Sequence, residues 1–215
     1  MMLTPAAKRR QQVLAARLAA DDTDVRANDE HALILMQLHQ DKQMLAQIAS
    51  NQAKAEAKRR ILPNYDAWIE SVLDNGAGAQ DDILICVMVW RIDAGDIAGA
   101  LDIAAYALAH NLRAVDDFDR PTACLVTEEI AIQALASLET EDQPDTDQLL
   151  RLRDMTEGCD MPDQVRAKLY KALGRTLRND GDSAGALVAF NRALELHDKS
   201  GVKLDIKALL KEQES

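Results

Sequence analysis

Gly95-Asp96-Ile97-Ala98-Gly99-Ala100-Leu101 returns as Gly181-Asp182-Ser183-Ala184-Gly185-Ala186-Leu187, identical at six of seven positions after an interval of 86 residues. Ala107-Leu108 recurs at the same offset as Ala193-Leu194. A glycine can close one helix in the left-handed conformation, and an aspartate directly after it can cap the next. The Ala-Leu that follows lets the second helix approach the first closely. The heptapeptide therefore reads as the corner of a helical hairpin, used twice. Around the second copy, Tyr170, Leu173, Gly174, Phe190 and Ala193-Leu194 fall where a tetratricopeptide unit places its large and small packing residues. The interval exceeds two such repeats, and between the copies only helical character persists, over Thr127 to Leu138 and Asp147 to Met155. The spacing predicts a degenerate helical-hairpin solenoid.

Composition points the same way. Apolar residues make up 47% of the 215, but aromatics only 3%, so alanine and leucine carry the core rather than the β-branched and aromatic runs that favour sheets. With 9 glycines and 5 prolines, few breaks interrupt the helices. The fold class expected is all-α. Cys86, Cys124 and Cys159 lie far apart, an odd set without a Cys-x-x-Cys pair, as expected of buried thiols in a reducing compartment. The longest apolar run, Ile83 to Trp90, is too short to span a bilayer, and the first residues lack the apolar core of a signal peptide. A soluble, intracellular protein with no membrane association is expected.

The net charge of −11 argues against nucleic acid for the molecule as a whole. Yet it is distributed unevenly. Residues 1–62 carry ten Lys/Arg against seven Asp/Glu, a balance of +3, while residues 63–215 carry fifteen against twenty-nine, a balance of −14. Three segments follow. Residues 1–27 form a basic segment with a short helix from Pro5 to Ala20, capped by Thr4. Residues 28–62 are expected to form one long, coiled-coil-like helix ended by Pro63. Its cleanest apolar stripe, Ile34, Leu38, Leu45 and Ile48, is the candidate self-association surface toward a partner helix, although such a stripe also fits a helix lying on its own domain. Residues 63–215 form an acidic helical-repeat domain, opening with a short helix from Tyr65 to Leu73.

Tests for catalytic chemistry find little. His31, His39, His110 and His197 have no metal-ligand spacing, and no Gly-x-Ser-x-Gly, Cys–His arrangement or phosphate loop is present. No metal, cofactor or catalytic residue is expected. Asp81-Asp82 and Asp116-Asp117 read as helix caps more readily than as metal ligands. Glu56-Ala57-Lys58 and Asp205-Ile206-Lys207 have an acid-x-Lys spacing on helices that offer no supporting strand. The basic clusters carry more. Lys8, Arg9, Arg10 and Arg17 precede the first acidic residue, and Lys54, Lys58, Arg59 and Arg60 fill the end of the long helix, where cations also complement the helix dipole. These eight residues are the candidate DNA contacts.

Arg60-Ile61-Leu62-Pro63-Asn64-Tyr65-Asp66-Ala67-Trp68-Ile69-Glu70, then Gly78 to Asp82 and Val87 to Asp96, closely resemble the terminase small subunit of temperate contractile-tailed phages with cohesive-end genomes. Met161 to Ala167 and Lys171 to Gly174 resemble the same family's C-terminal signature, so the resemblance spans roughly residues 40 to 205. It implies recognition of a packaging site on double-stranded DNA, partnership with a large ATPase subunit, self-assembly, and work in the host cytoplasm. It also implies a place in the cutting of concatemeric DNA, although the residues offer no nuclease constellation. Three readings stand: a DNA-binding specificity subunit that forms a homo-oligomer, a metal-dependent endonuclease, and a helical-repeat scaffold without a DNA role.

Overall fold

A computed structural model describes residues 29–114, 120–140 and 143–213, and these residues contain helices and no strand. The chain divides into two compact units, Met1–Ala49 and Ser50–Ser215. The short helix expected over Pro5 to Ala20 lies outside the described residues.

In the first unit, helix α1 covers residues 29–46. Leu38 and Leu45 are buried on it, as is Asp41, whose carboxylate accepts a hydrogen bond from the Gln37 amide at 3.1 Å. Ile34 and Ile48 are half-buried. The continuous helix expected over 28–62 is not what forms. The Gln47 N–H donates to Met44 and the Ile48 N–H to Leu45, both at 3.2 Å, which tightens the last turn into i→i−3 bonding. Ser50 is extended, and its hydroxyl accepts from the Ala53 N–H at 3.3 Å, so it caps a new helix. The apolar stripe decays past Ile48, leaving no burial to hold a continuous helix against that cap.

The second unit opens with α2 (Asn51–Ile61), a 3-10 turn (Leu62–Tyr65) that takes Pro63 near its start, and α3 (Asp66–Asn75). Helices α4 (Asp82–Ala94), α5 (Ile97–Ala109), α6 (Thr122–Ser137), α7 (Thr146–Thr156), α8 (Asp163–Asn179), α9 (Ser183–Leu196) and α10 (Lys203–Gln213) follow. α4 is apolar nearly all round, and α2, α5 and α6 pack on it. Tyr65 is fully buried and meets Trp90 edge-on, with ring centroids 5.8 Å apart. A second apolar group gathers Ala186, Phe190, Ala193, Val202 and Leu209.

The repeated heptapeptide forms the same corner twice. Gly95 and Gly181 both sit at φ +86°. The Asp96 N–H donates to Arg91 at 2.8 Å and the Gly95 N–H to Ile92 at 3.0 Å; Asp182 and Gly181 repeat the pair on Leu177 and Arg178 at 2.9 and 3.1 Å. This is the paired 6→1 and 5→2 bonding that satisfies the last carbonyls of a helix. Each aspartate carboxylate then accepts from the N–H three residues on, Gly99 at 3.0 Å and Gly185 at 2.9 Å. Two hairpins result, α4–α5 and α8–α9. In the second, a Cβ on Gly174 would stand 2.6 Å from the Phe190 ring, so only glycine lets α8 and α9 approach this closely.

Candidate nucleic-acid interface

Of the eight cations singled out, Lys8, Arg9, Arg10 and Arg17 lie outside the described residues. The other four sit on α2, where the structure separates them. Lys58 forms an ion pair with Asp93 on α4, and its side chain is only 13% exposed. The Arg59 Nε donates to the carbonyl of Ala94 at 2.8 Å, meeting the negative end of α4 just before Gly95. These two side chains tie α2 to α4; the Lys58 ammonium is committed to its ion pair, whereas Arg59 is exposed and engages only its Nε. Arg60 is exposed and Lys54 half-buried, and neither side chain has a hydrogen bond or ion pair within the described residues. Sequence spacing could not separate the four, because the partners lie 35 residues away on another helix.

The acidic pairs also acquire definite roles. Asp81 is buried, caps α4 through the Leu84 N–H at 2.9 Å, and accepts from the Trp68 indole at 3.0 Å. Asp82 accepts from the Gln80 amide at 3.1 Å. Asp205 receives Arg175 at 3.2 Å, and Glu56 is exposed. Asp116 and Asp117 lie outside the described residues. No group of three or more His, Cys, Asp or Glu side chains is gathered as a metal site among the described residues.

One ion network was not anticipated. Arg120 reaches Glu128 at 3.0 Å and Glu129 at 3.7 Å, and Lys168 donates to Glu128 at 2.8 Å. The hydrogen bond from Lys168 holds the Glu128 carboxyl below the usual glutamate range, against the opposing effect of burial. Burial pushes Glu129 the other way, above that range, and outweighs the nearby Arg120. Neighbouring Asp93 and Glu128 add to the upward shift.

Fold and site together define a class: an all-helical protein with repeated hairpin corners, whose singled-out carboxylates cap helices or form ion pairs where they have partners. The profile of the family described as phage small terminase subunit matches residues 35–164, more than half of the chain. A relative named as the terminase endonuclease subunit of Escherichia phage P2 is 41% identical over 212 residues, covering 98% of this chain and 86% of the relative. No solved structure matches. The chain belongs to the phage small terminase subunit family, and its role is in phage DNA packaging.

Proposed function

We propose that the chain is the DNA-recognition component of the packaging machinery. It binds the packaging site on double-stranded phage DNA in the host cytoplasm, self-assembles, and directs the large ATPase subunit to where the DNA is cut. Family membership carries this reading, and the charge distribution supports it. A basic first third on an acidic body lets DNA approach from one side and repels it from the other. An assembly would multiply a modest contact per subunit into useful avidity, which is how a chain of charge −11 can hold DNA.

The DNA surface in this reading comprises Lys8, Arg9, Arg10 and Arg17, with Arg60 and Lys54 as auxiliaries. Lys58 serves the fold, and Arg59 braces α4 through its Nε while the rest of its guanidinium belongs to the same auxiliary set. Self-association uses α1. Its buried stripe of Leu38 and Leu45 braces the helix, and its other face offers Leu33, Met36 and Met44 at 66%, 61% and 38% exposure as a coiled-coil-like seam. From Ala32 to Gln47 the charged side chains are the buried Asp41 and the exposed Lys42, while Leu33, Met36 and Met44 are themselves apolar, so identical copies could meet through those three. The body is read as a tetratricopeptide-like solenoid, supported by the matched corners at Gly95 and Gly181, and its hairpins are the surface offered to the large subunit.

The relative's name favours a second reading, in which this chain itself cuts DNA with a divalent metal. The two separate in one experiment. Changing Lys8, Arg9 and Arg10 together to alanine should weaken binding to packaging-site DNA and flatten its salt dependence over about 50 to 200 mM, because each phosphate contact contributes a slope near −0.9. Wild-type binding and slope in that variant would remove the basic segment from the DNA surface. Double-strand cuts by the chain with magnesium and no large subunit would decide for the enzyme.

A further inference from the structure

A small basic cavity lies between α6, α8 and the turn that joins α9 to α10. It encloses about 270 Å³ and is lined by Gln164, Lys168, Lys171, His197, Lys199 and Ser200 among others, with no carboxylate in the lining. On a segment whose balance is −14, lysines should find acids. Here one does and two do not. Lys168 is bound to Glu128, whereas neither Lys171 nor Lys199 forms an ion pair within the described residues. The acid nearest in influence to Lys171 is Asp205, and that carboxylate is held by Arg175 at 3.2 Å.

The turn supplies a second, independent feature. The Ser200 hydroxyl is buried and has no hydrogen-bond partner. A buried hydroxyl left unmatched is costly, so such groups normally have a partner. The next residue, Gly201, adopts φ +81°, and a Cβ there would lie 3.4 Å from the Lys171 ammonium, which brings that charge against the turn beside Ser200. Burial and the Arg175 charge both depress the Lys171 pKa, as expected of an ammonium that lacks a counterion.

We infer that this cavity is an oxyanion site for a phosphate group, held by the ammonium groups of Lys171 and Lys199, with the Ser200 hydroxyl donating and Lys168 and His197 at the rim. Ammonium groups act as point-charge donors to phosphate, and a hydroxyl adds a directional bond. The volume suits a single phosphate or sulfate better than a nucleoside, since pockets for drug-sized ligands begin at about 300 Å³. The phosphate can belong to a DNA backbone or be free in solution. The first source rests on the DNA-binding reading above; the site itself does not.

The test uses the full chain with inorganic phosphate as the probe, titrated against chloride at constant ionic strength. A ligand at ten times its dissociation constant raises the folding equilibrium about 11-fold, or about 1.4 kcal/mol. In a chain of this size that moves the melting temperature up by about 3–6 °C. Wild type and Lys207→Gln, an exposed lysine outside the cavity, should show this rise. Lys171→Gln with Lys199→Gln should lose it, and Ser200→Ala should need more phosphate to reach it. Phosphate also stabilises proteins by exclusion from their surface, but that effect is common to every variant and cancels in the comparison. An equal rise in the double variant, or none in wild type, overturns the site. A second arm measures duplex DNA binding against salt. A slope reduced by about 1–2 in the double variant identifies the backbone as the source. An unchanged slope with the phosphate rise lost supports a site for free phosphate. If no variant binds DNA, the DNA reading fails while the first arm still decides the site.

Discussion

Replacing Lys58 by methionine and, separately, Arg60 by glutamine tests whether the α2 cations divide as the structure divides them. Methionine keeps much of the lysine stem and its packing and removes only the ammonium. The Lys58 side chain is 13% exposed and its partner Asp93 42%, so the pair is neither fully dry nor fully screened. Its loss should cost about 1 kcal/mol, near the upper end for an exposed pair. It is not the 3–5 kcal/mol of a buried one, because the stranded carboxylate keeps much of its hydration. In a chain of this size that corresponds to a melting temperature lowered by about 2–4 °C. Arg60 is exposed and its side chain is unpaired among the described residues, so Arg60→Gln should change stability by less than about 0.5 kcal/mol. If Arg60 touches phosphate, its loss should flatten the salt dependence of DNA binding by about 0.9. Thermal unfolding by circular dichroism and binding isotherms at several salt concentrations read the two axes independently. Were Lys58→Met to flatten the salt slope at an unchanged melting temperature, the division would be refuted.

Self-association should respond to Leu33→Ser, Met36→Ser and Met44→Ser made together, with a smaller mass in light scattering and an undiminished helical signal, while Leu45→Ala should cost about 2–5 kcal/mol of stability as a buried leucine. An unchanged mass in the triple variant would move the seam elsewhere. Glu129 and Glu128 should show opposite pH dependence. A carboxyl raised above its ordinary range binds its proton more tightly in the folded state, so folding loses stability as pH rises through the folded pKa. Glu129→Gln should therefore stabilise the protein at about pH 7, with the gain vanishing below about pH 4. Glu128, held low by Lys168, contributes stability above the ordinary range that is lost as pH falls, so Glu128→Gln should be destabilising at neutral pH. Urea midpoints at the two pH values check both signs.

The amino-acid sequence by itself determined the fold class and the hairpin corners, because these depend on local chemistry. Alanine- and leucine-rich segments can only bury their stripes as helices, and Gly95-Asp96 and Gly181-Asp182 carry their turn geometry in two residues each. The specific run from Arg60 to Asp96 likewise made the family legible. The break at residues 47–50 was written in Ser50 as well, but a serine cap competes with a helix-permissive background, and burial on either side decides which prevails. What only the tertiary structure decided is which charges are available. Lys58 and Arg59 look no different from Lys54 and Arg60 along the chain, yet α4 supplies Asp93 and the Ala94 carbonyl to the first two alone. The cavity at Lys171 was hidden for the same reason. Its cations come from α8 and from the turn after α9, and an electrostatic site is a sum over neighbours in space, which sequence spacing does not report.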